Sequence, residues 1–256
     1  MKTFRKTDTR RAIASEVAGL AWLTEADGAP VAELVDHGET FLETRMLDHG
    51  SPTRESAAEF GRRLAQTHAA GADWWGQAPP GLDPADLVHA NLPMPAPAEP
   101  LWGSFGEYWA EGRLRPHLEQ TDVLASDDLA TLHRVCDVIA TGRFDSPQPA
   151  MCGEVARIHG DLWGQNVVWA DGGRTGTLID PAANGGHAEQ DLADLAIFGS
   201  PQLEAIIAGY NEVSPLADGW EERVELHQLH MLFIHIVLFG GSYIGQTVRI
   251  ARRLLR

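Results

Sequence analysis

The chain has 256 residues, 44% of them hydrophobic and 22% charged, which excludes a wholly disordered or fibrous protein and fits one large domain or two small ones. Asp and Glu number 36 against 20 Lys and Arg, a formal net charge of -16. Basic residues cluster only at the two ends, Arg5–Arg11 and Arg249–Arg256, so nucleic acid is not an expected partner and a small-molecule substrate is.

From the start, MKTFRKTDTRR is basic, but no apolar h-region or cleavage site follows it. Residues 10–24 carry Ile13, Val17, Leu20 and Leu23 at helical spacing. Segments 31–35 and 41–46 read as short strands around the turn Asp36-His37-Gly38-Glu39. A second helix is expected over 53–70, with Ala57, Phe60, Leu64 and His68 on one face. Residues 71–100 are rich in Pro and Gly, so regular structure should be scarce there. Loops this long in a compact domain are often functional. Helices are expected over 102–120 and 124–141.

Beyond residue 155 the texture changes. Ala156-Arg157-Ile158 leads into HGDLWGQN, residues 159–166. Val167-Val168-Trp169 and Thr177-Leu178-Ile179 read as strands of a hairpin turning at Asp171-Gly172-Gly173, and Asp180 ends the second strand. After Gly185-Gly186 the chain reads as helical, with breaks near Pro201, Pro215 and Gly240-Gly241. Its longest apolar run, 231–240, contains His235 and is short for a membrane span, and no membrane partner is expected. Cys136 and Cys152 are too few for a disulfide framework or a zinc site and fit a reducing compartment.

The sharpest chemical signal lies in that hairpin. Asn166 follows Asp161 by five positions, and Asp180 follows it by nineteen. Phosphoryl transfer needs one carboxylate to take or orient the proton of the attacking hydroxyl. It also needs an amide oxygen and a second carboxylate to hold Mg²⁺ against nucleotide phosphates. Hard oxygen donors suit that ion. A hairpin between Asn166 and Asp180 returns both to the end from which Asp161 projects. His159 is expected to hold backbone groups rather than act as a base. Trp163, two residues from Asp161, is a candidate acceptor contact. Trp74, Trp75, Trp102 and Trp109 are expected to fill core. His227, His230 and His235 are expected to pack or line a pocket rather than bind zinc, which would need further ligands. Glu221, Glu222 and Glu225 read as a solvated helix face.

HGDLWGQN, LIDPAANGGHAEQDLADLAIFG and LHQLHMLFIHIVLFGGSYIGQTVRIARRL resemble the fructosamine kinase (ketosamine-3-kinase) family. FRKTDTR, SEVAGLAWL, LAQTHAAGADWWG and FGEYWAEGRLRPHL extend the resemblance over nearly the whole chain. That family is similar to aminoglycoside phosphotransferases and choline kinases. The resemblance implies an α+β, protein-kinase-like two-lobed fold. It divides the chain into a remnant of the small nucleotide-binding lobe, 1–47, and a mainly helical catalytic lobe, 48–256. It implies ATP-dependent phosphorylation of a ketosamine hydroxyl, on a small amine or a protein, with ATP and Mg²⁺ as cofactors and a cytoplasmic location.

Residue by residue, Asp161 matches the catalytic base, and Asn166 and Asp180 match the metal ligands. Lys6 matches the lysine that pairs with nucleotide phosphates, and Glu16 the helix glutamate that holds it; without the resemblance they read as a solvated pair. Residues 41–47, with Glu43 among them, match the strand and hinge that meet adenine. Asp191 matches an acidic residue that supports the catalytic loop. One departure is that only five residues precede Lys6, so the two strands and phosphate-covering loop that come before this lysine in the family are not in the chain. The expectation is an exposed sheet edge and weakened phosphate binding. The rival readings are a kinase for an aminoglycoside- or choline-type acceptor and a pseudokinase without turnover. The intact Asp161, Asn166 and Asp180 argue against the second rival.

Overall fold

The structure, a computed structural model, describes residues 2–256. Its first sheet has the order β1-β3-β2, from β1 (Thr3–Thr7), β2 (Leu34–His37) and β3 (Phe41–Arg45), all antiparallel. β1 lies at the edge, as expected. Helix α1 (Arg10–Glu25) follows β1 after a two-residue step. Thr9 caps it by accepting the Ala12 N–H, and Ile13, Glu16, Leu20 and Leu23 form its buried stripe.

Helix α2 (Arg54–Ala69) opens on a reciprocal cap between Thr53 and Ser56. Two glycines let it lie tightly against α8 (Leu203–Val213). A Cβ at Gly61 would collide with the Ile206 carbonyl, and one at Gly209 with the Ala58 carbonyl. Regular structure is indeed scarce over residues 71–100, apart from one 3₁₀ turn and a small hairpin, β4 (Val88–His89) with β5 (Leu92–Pro93).

The helix expected over 102–120 is helical but not uniform. Its parts are α3 (Phe105–Glu107), a π-helical stretch (Tyr108–Leu114) and α4 (Arg115–Leu118). The wider π winding coincides with Gly112, whose missing Cβ admits the Trp102 ring, and with Arg113, buried and bonded to the Pro95 carbonyl and Asn184. Helix α5 (Ser126–Ala140) packs on this segment through Leu132, Val135, Cys136 and Ile139.

Two short antiparallel pairs follow: β6 (Ala156–Ile158) with β9 (Asn184–Gly186), and β7 (Val167–Trp169) with β8 (Thr175–Leu178). The turn between β7 and β8 is the single-turn α6 (Ala170–Gly173), with Asp171 and Gly172 left-handed at φ 53° and 68°. Helices α7 (Ala188–Ile197), α8, α9 (Trp220–Phe239) and α10 (Ile244–Leu254) complete the chain. The span Trp220–Leu254 is long and apolar enough, by length and composition alone, to cross a membrane. Residues 226–234 of α9 are all buried, and Leu226, Leu229, Leu232 and Phe233 sit in one core with Trp109, Val135 and Ile250. A helix apolar on every side belongs at the centre of such a core. A second core joins Trp22 and Leu23 of α1, Phe60 and Leu64 of α2, Leu162, Leu178 and Tyr210. It seats the segment around Leu162 on α2 and α8.

Candidate active site

The β7–β8 register does the work foreseen for it. Val167 pairs with Leu178, and the Ile179 N–H bonds the Asn166 carbonyl at 3.1 Å, so Asn166 and Asp180 leave the hairpin side by side. The Asn166 amide nitrogen donates to the Asp161 carbonyl at 2.7 Å and to Asp161 Oδ2 at 3.1 Å. With that nitrogen committed, the amide oxygen is the Asn166 atom left to face a cation. Asp180 stands at φ 51°, a left-handed conformation costly for a side-chain-bearing residue, and its carboxylate is turned toward Lys6.

Lys6 Nζ lies 2.8 Å from Glu16 Oε2 and 3.2 Å from Asp180 Oδ1. Burial pushes Glu16 up to about 7 against the pull of Lys6, and the Asp180 charge adds to the rise. Lys6, Glu16, Asp161, Trp163, Asn166 and Asp180 thus line one cavity of about 280 Å³. A larger groove of about 710 Å³ runs along the outer face of α1 past Ala14, Val17 and Leu82, but it contains none of these groups.

The backbone around Asp161 is held from behind. Asp191, fully buried, accepts the N–H groups of His159 and Gly160 at 2.7 and 2.9 Å and His68 Nε2 at 3.0 Å. Burial opposes its ionisation, but these donors and His68 outweigh it and hold Asp191 below the usual carboxylate range. His159 donates from Nε2 to the Ile179 carbonyl at 2.8 Å and receives the Asp161 N–H on Nδ1 at 3.3 Å. It is the structural clip expected, tying the residue before Asp180 to Asp161. Gly160 has φ 81°, and a Cβ there would strike the Ala182 carbonyl. No side chain fits between Gly160 and the chain just after Asp180.

Beside this cavity is a smaller slot of about 120 Å³ between Phe4, Leu20, Ala32, Leu42, Thr44 and Ile179, with Glu16 and Asp180 at its inner end. Its walls are mainly apolar, and it shares Glu16 and Asp180 with the cavity that holds Lys6.

Glu43 is not part of this arrangement. Register pairs Lys6 with Leu42 and Arg5 with Glu43, so alternation sends Glu43 to the opposite face of the sheet, where it meets Arg5 at 2.8 Å. The backbone of 41–45 is consumed by pairing on both sides, and the Met46 N–H bonds the Lys2 carbonyl at 3.0 Å. The N–H and C=O groups of the expected 41–47 segment are thus largely engaged within the sheet through residue 45.

His89 was not among the expected site residues. Its Nε2 stands 3.2 Å from Asp161 Oδ1, and it lines the same cavity. Its neighbours in sequence form no motif, and it sits within the Pro-rich stretch. Of the other expected residues, Trp163 lines the cavity and meets the Phe198 ring edge-on at 5.9 Å. Trp75 and Trp109 are buried, Trp109 bonding the Leu226 carbonyl. His227 lies 3.2 Å from Glu189, close to His187, but both Glu189 oxygens are already held by Arg223, at 2.5 and 2.8 Å. A guanidinium there repels a metal ion.

Over residues 2–256 the sequence matches the family model for fructosamine kinase. The chain belongs to the fructosamine kinase family. It is 29% identical to a protein of Vibrio cholerae named a probable ketoamine kinase, over 98% of this chain and 84% of that one. It is 29% identical to the ketosamine-3-kinase of Mus musculus over 58% of this chain and 46% of that one. A crystal structure of a candidate fructosamine-3-kinase from Thermobifida fusca superposes with a TM-score of 0.84 at 38% identity, covering 99% of this chain and 85% of that chain. An ADP-bound aminoglycoside phosphotransferase, APH(2'')-Ib, shares the fold at 14% identity, with a TM-score of 0.59 over 99% of this chain and 86% of that one. The architecture is therefore the α+β, kinase-like one expected, and the enzyme class is that of an ATP-dependent ketosamine kinase rather than either rival.

Proposed function

We propose that this member of the fructosamine kinase family transfers the γ-phosphoryl group of ATP to a sugar hydroxyl of a ketosamine, with Asp161 as the base. The observation that carries this reading is the convergence of Asp161, Asn166, Asp180 and Lys6 on one cavity, from positions spread over the whole chain.

Each residue has work that its geometry suits. Asp161 presents a carboxylate to the cavity, where it accepts the proton of the attacking hydroxyl as the oxygen bonds to phosphorus. Asn166 fixes that carboxylate through its amide nitrogen. Lys6, held by Glu16, offers a fixed positive charge to nucleotide phosphates. The slot lined by Leu20, Leu42 and Ile179 receives the base and leaves the phosphates beside Lys6. The Asn166 amide oxygen and the Asp180 carboxylate are hard donors side by side and fit Mg²⁺, which keeps most of its ligands as water and phosphate oxygens. When bound there, the ion would neutralise charge on the transferring group. Trp163 offers an aromatic face to the acceptor sugar. Catalysis of this kind rests on positioning and electrostatics. On this reading residues 1–47 serve the nucleotide, and 48–256 carry the catalytic loop and the acceptor side.

The test is incubation of the chain with Mg-ATP and fructosyl-lysine, following ADP release and the ³¹P spectrum of the sugar. Stoichiometric ADP and a new sugar phosphomonoester are expected. ADP release that is independent of the ketosamine would refute the assignment.

A further inference from the structure

We propose that His89 is a positioning residue for the base, fixing the plane of the Asp161 carboxylate from the side opposite Asn166. This rests on the reading of Asp161 given above. The two carboxylate oxygens have different neighbours. Oδ2 receives the Asn166 amide at 3.1 Å, and Oδ1 faces His89 Nε2 at 3.2 Å. A carboxylate with one donor can swing about its Cβ–Cγ bond, and a buried imidazole set close against its second oxygen limits that swing. A base is effective only when a lone pair points at the proton it takes, and small losses of alignment cost rate.

The hairpin that carries His89 is built to hold it still. β4 and β5 are joined by Ala90 and Asn91 alone, both left-handed at φ 47° and 68°. Two such residues make the tight turn that suits a two-residue hairpin, but alanine there carries strain that the surroundings must offset. The surroundings do grip it. The Thr9 hydroxyl, at the cap of α1, donates to Asn91 Oδ1 at 3.0 Å, and the Val88 N–H reaches Ser15 Oγ at 3.4 Å. Asp86, at the foot of the hairpin, lies 3.4 Å from both Arg10 and Arg11. The same α1 carries Glu16, which holds Lys6, so one helix steadies both the lysine and the hairpin behind the base.

The ring itself is 3% exposed and rests edge-on against His230, centroids 5.5 Å apart, with His117 beyond at 5.3 Å from His230. Among the described residues, His89 Nδ1, His230 Nε2 and His117 Nδ1 have no hydrogen-bond partner, so nothing else in the cluster draws His89 away from Asp161. Burial, reinforced by the other histidines and by Arg113, keeps His117 and His230 neutral. Neither competes as a cation for the Asp161 carboxylate.

The experiment is a double-mutant cycle on ketosamine phosphorylation, with His89→Leu, Asp161→Asn and the pair, and with His89→Gln as the conservative variant. His89→Leu should lower kcat by about tenfold or more while leaving KM for Mg-ATP within about twofold. His89→Gln, whose amide nitrogen can occupy the place of Nε2, should recover a large part of kcat. In the Asp161→Asn background, His89→Leu should have no further effect, because His89 acts only through the base. If His89→Leu does not fold, His89→Ala carries the same cycle. Equal losses in both backgrounds, a kcat for His89→Leu within twofold of the parent, or no recovery with His89→Gln would each overturn the assignment while leaving the kinase reading intact. Absence of ketosamine-dependent turnover in the parent chain would instead overturn the kinase reading, and this inference with it.

Discussion

Lys6 and Asp180 lie 174 positions apart in the chain, yet Nζ and Oδ1 are 3.2 Å apart. The first strand of the chain is thereby tied to the end of the β7–β8 hairpin. Both groups are shared out before any nucleotide arrives, Lys6 to Glu16 and Asp180 to Lys6. On the proposed function, a nucleotide with its metal would exchange this internal pairing for new partners.

Removing Lys6 should therefore act on nucleotide binding more than on the acceptor. Lys6→Ala is expected to raise KM for ATP roughly tenfold, equivalent to about 1.4 kcal/mol, with KM for the ketosamine little changed. Steady-state kinetics with each substrate varied in turn will show this. A larger effect on the ketosamine would place Lys6 on the acceptor side.

Asp180→Ala should abolish the dependence of ADP binding on Mg²⁺. In calorimetry, Mg²⁺ should strengthen ADP binding by the parent and leave the variant unaffected. Persistence of the Mg²⁺ effect in the variant would move the metal to other ligands.

Much of this site could be read from the sequence because its chemistry is local. Asp161, Asn166 and Asp180 fall within twenty residues, on a hairpin whose register follows from a short turn. Lys6 and Glu16 needed the family resemblance, since a basic and an acidic residue near a helix start are ordinary by themselves. Glu43 was misplaced for a definite reason. Alternation along β3 makes Leu42 and Thr44 the cleft-facing pair, and a matching strand segment does not say which face each residue takes. His89 was invisible because its place is fixed by residues distant in sequence: Thr9 and Ser15 hold its hairpin through Asn91 and Val88, and Asp161 faces its ring. The strand Asn184–Gly186 went unread because two glycines carry no side-chain pattern. Their bareness is what lets the strand lie close to Trp74 and Ile158.

The buried histidines make stability depend on pH. Burial, with His89 and the Arg113 guanidinium nearby, holds His117 down to about 3, far below its value near 6.5 in an unfolded chain. A base with a depressed folded pKa contributes stability that is complete above the unfolded value and is lost as pH falls through the window from about 6.5 to about 3. Glu16 and Asp194, whose carboxyls burial pushes up, act in the opposite sense, so the His117 contribution is read as a difference between the two chains. The urea midpoint of His117→Leu should gain on that of the parent as pH falls below about 6.5. An unchanged slope in the variant would mean that His117 is not one of the groups responsible.

Gly61→Ala tests the α2–α8 contact on which the catalytic segment rests. The added methyl meets the Ile206 carbonyl, backbone that cannot rotate away. A loss of about 1–3 kcal/mol in chemical denaturation is expected, with KM values preserved in the fraction that folds. A neutral result would show that the helices separate without cost.

Whether Asp161 is the base of a ketosamine kinase is decided by one comparison. Turnover on fructosyl-lysine and Mg-ADP affinity are measured for the parent chain and for Asp161→Asn. With Asp161 as the base, kcat should fall on the order of 10² or more with Mg-ADP affinity unchanged, since the nucleotide would be held by Lys6, Asp180 and the apolar slot. A near-normal kcat for Asp161→Asn would contradict it.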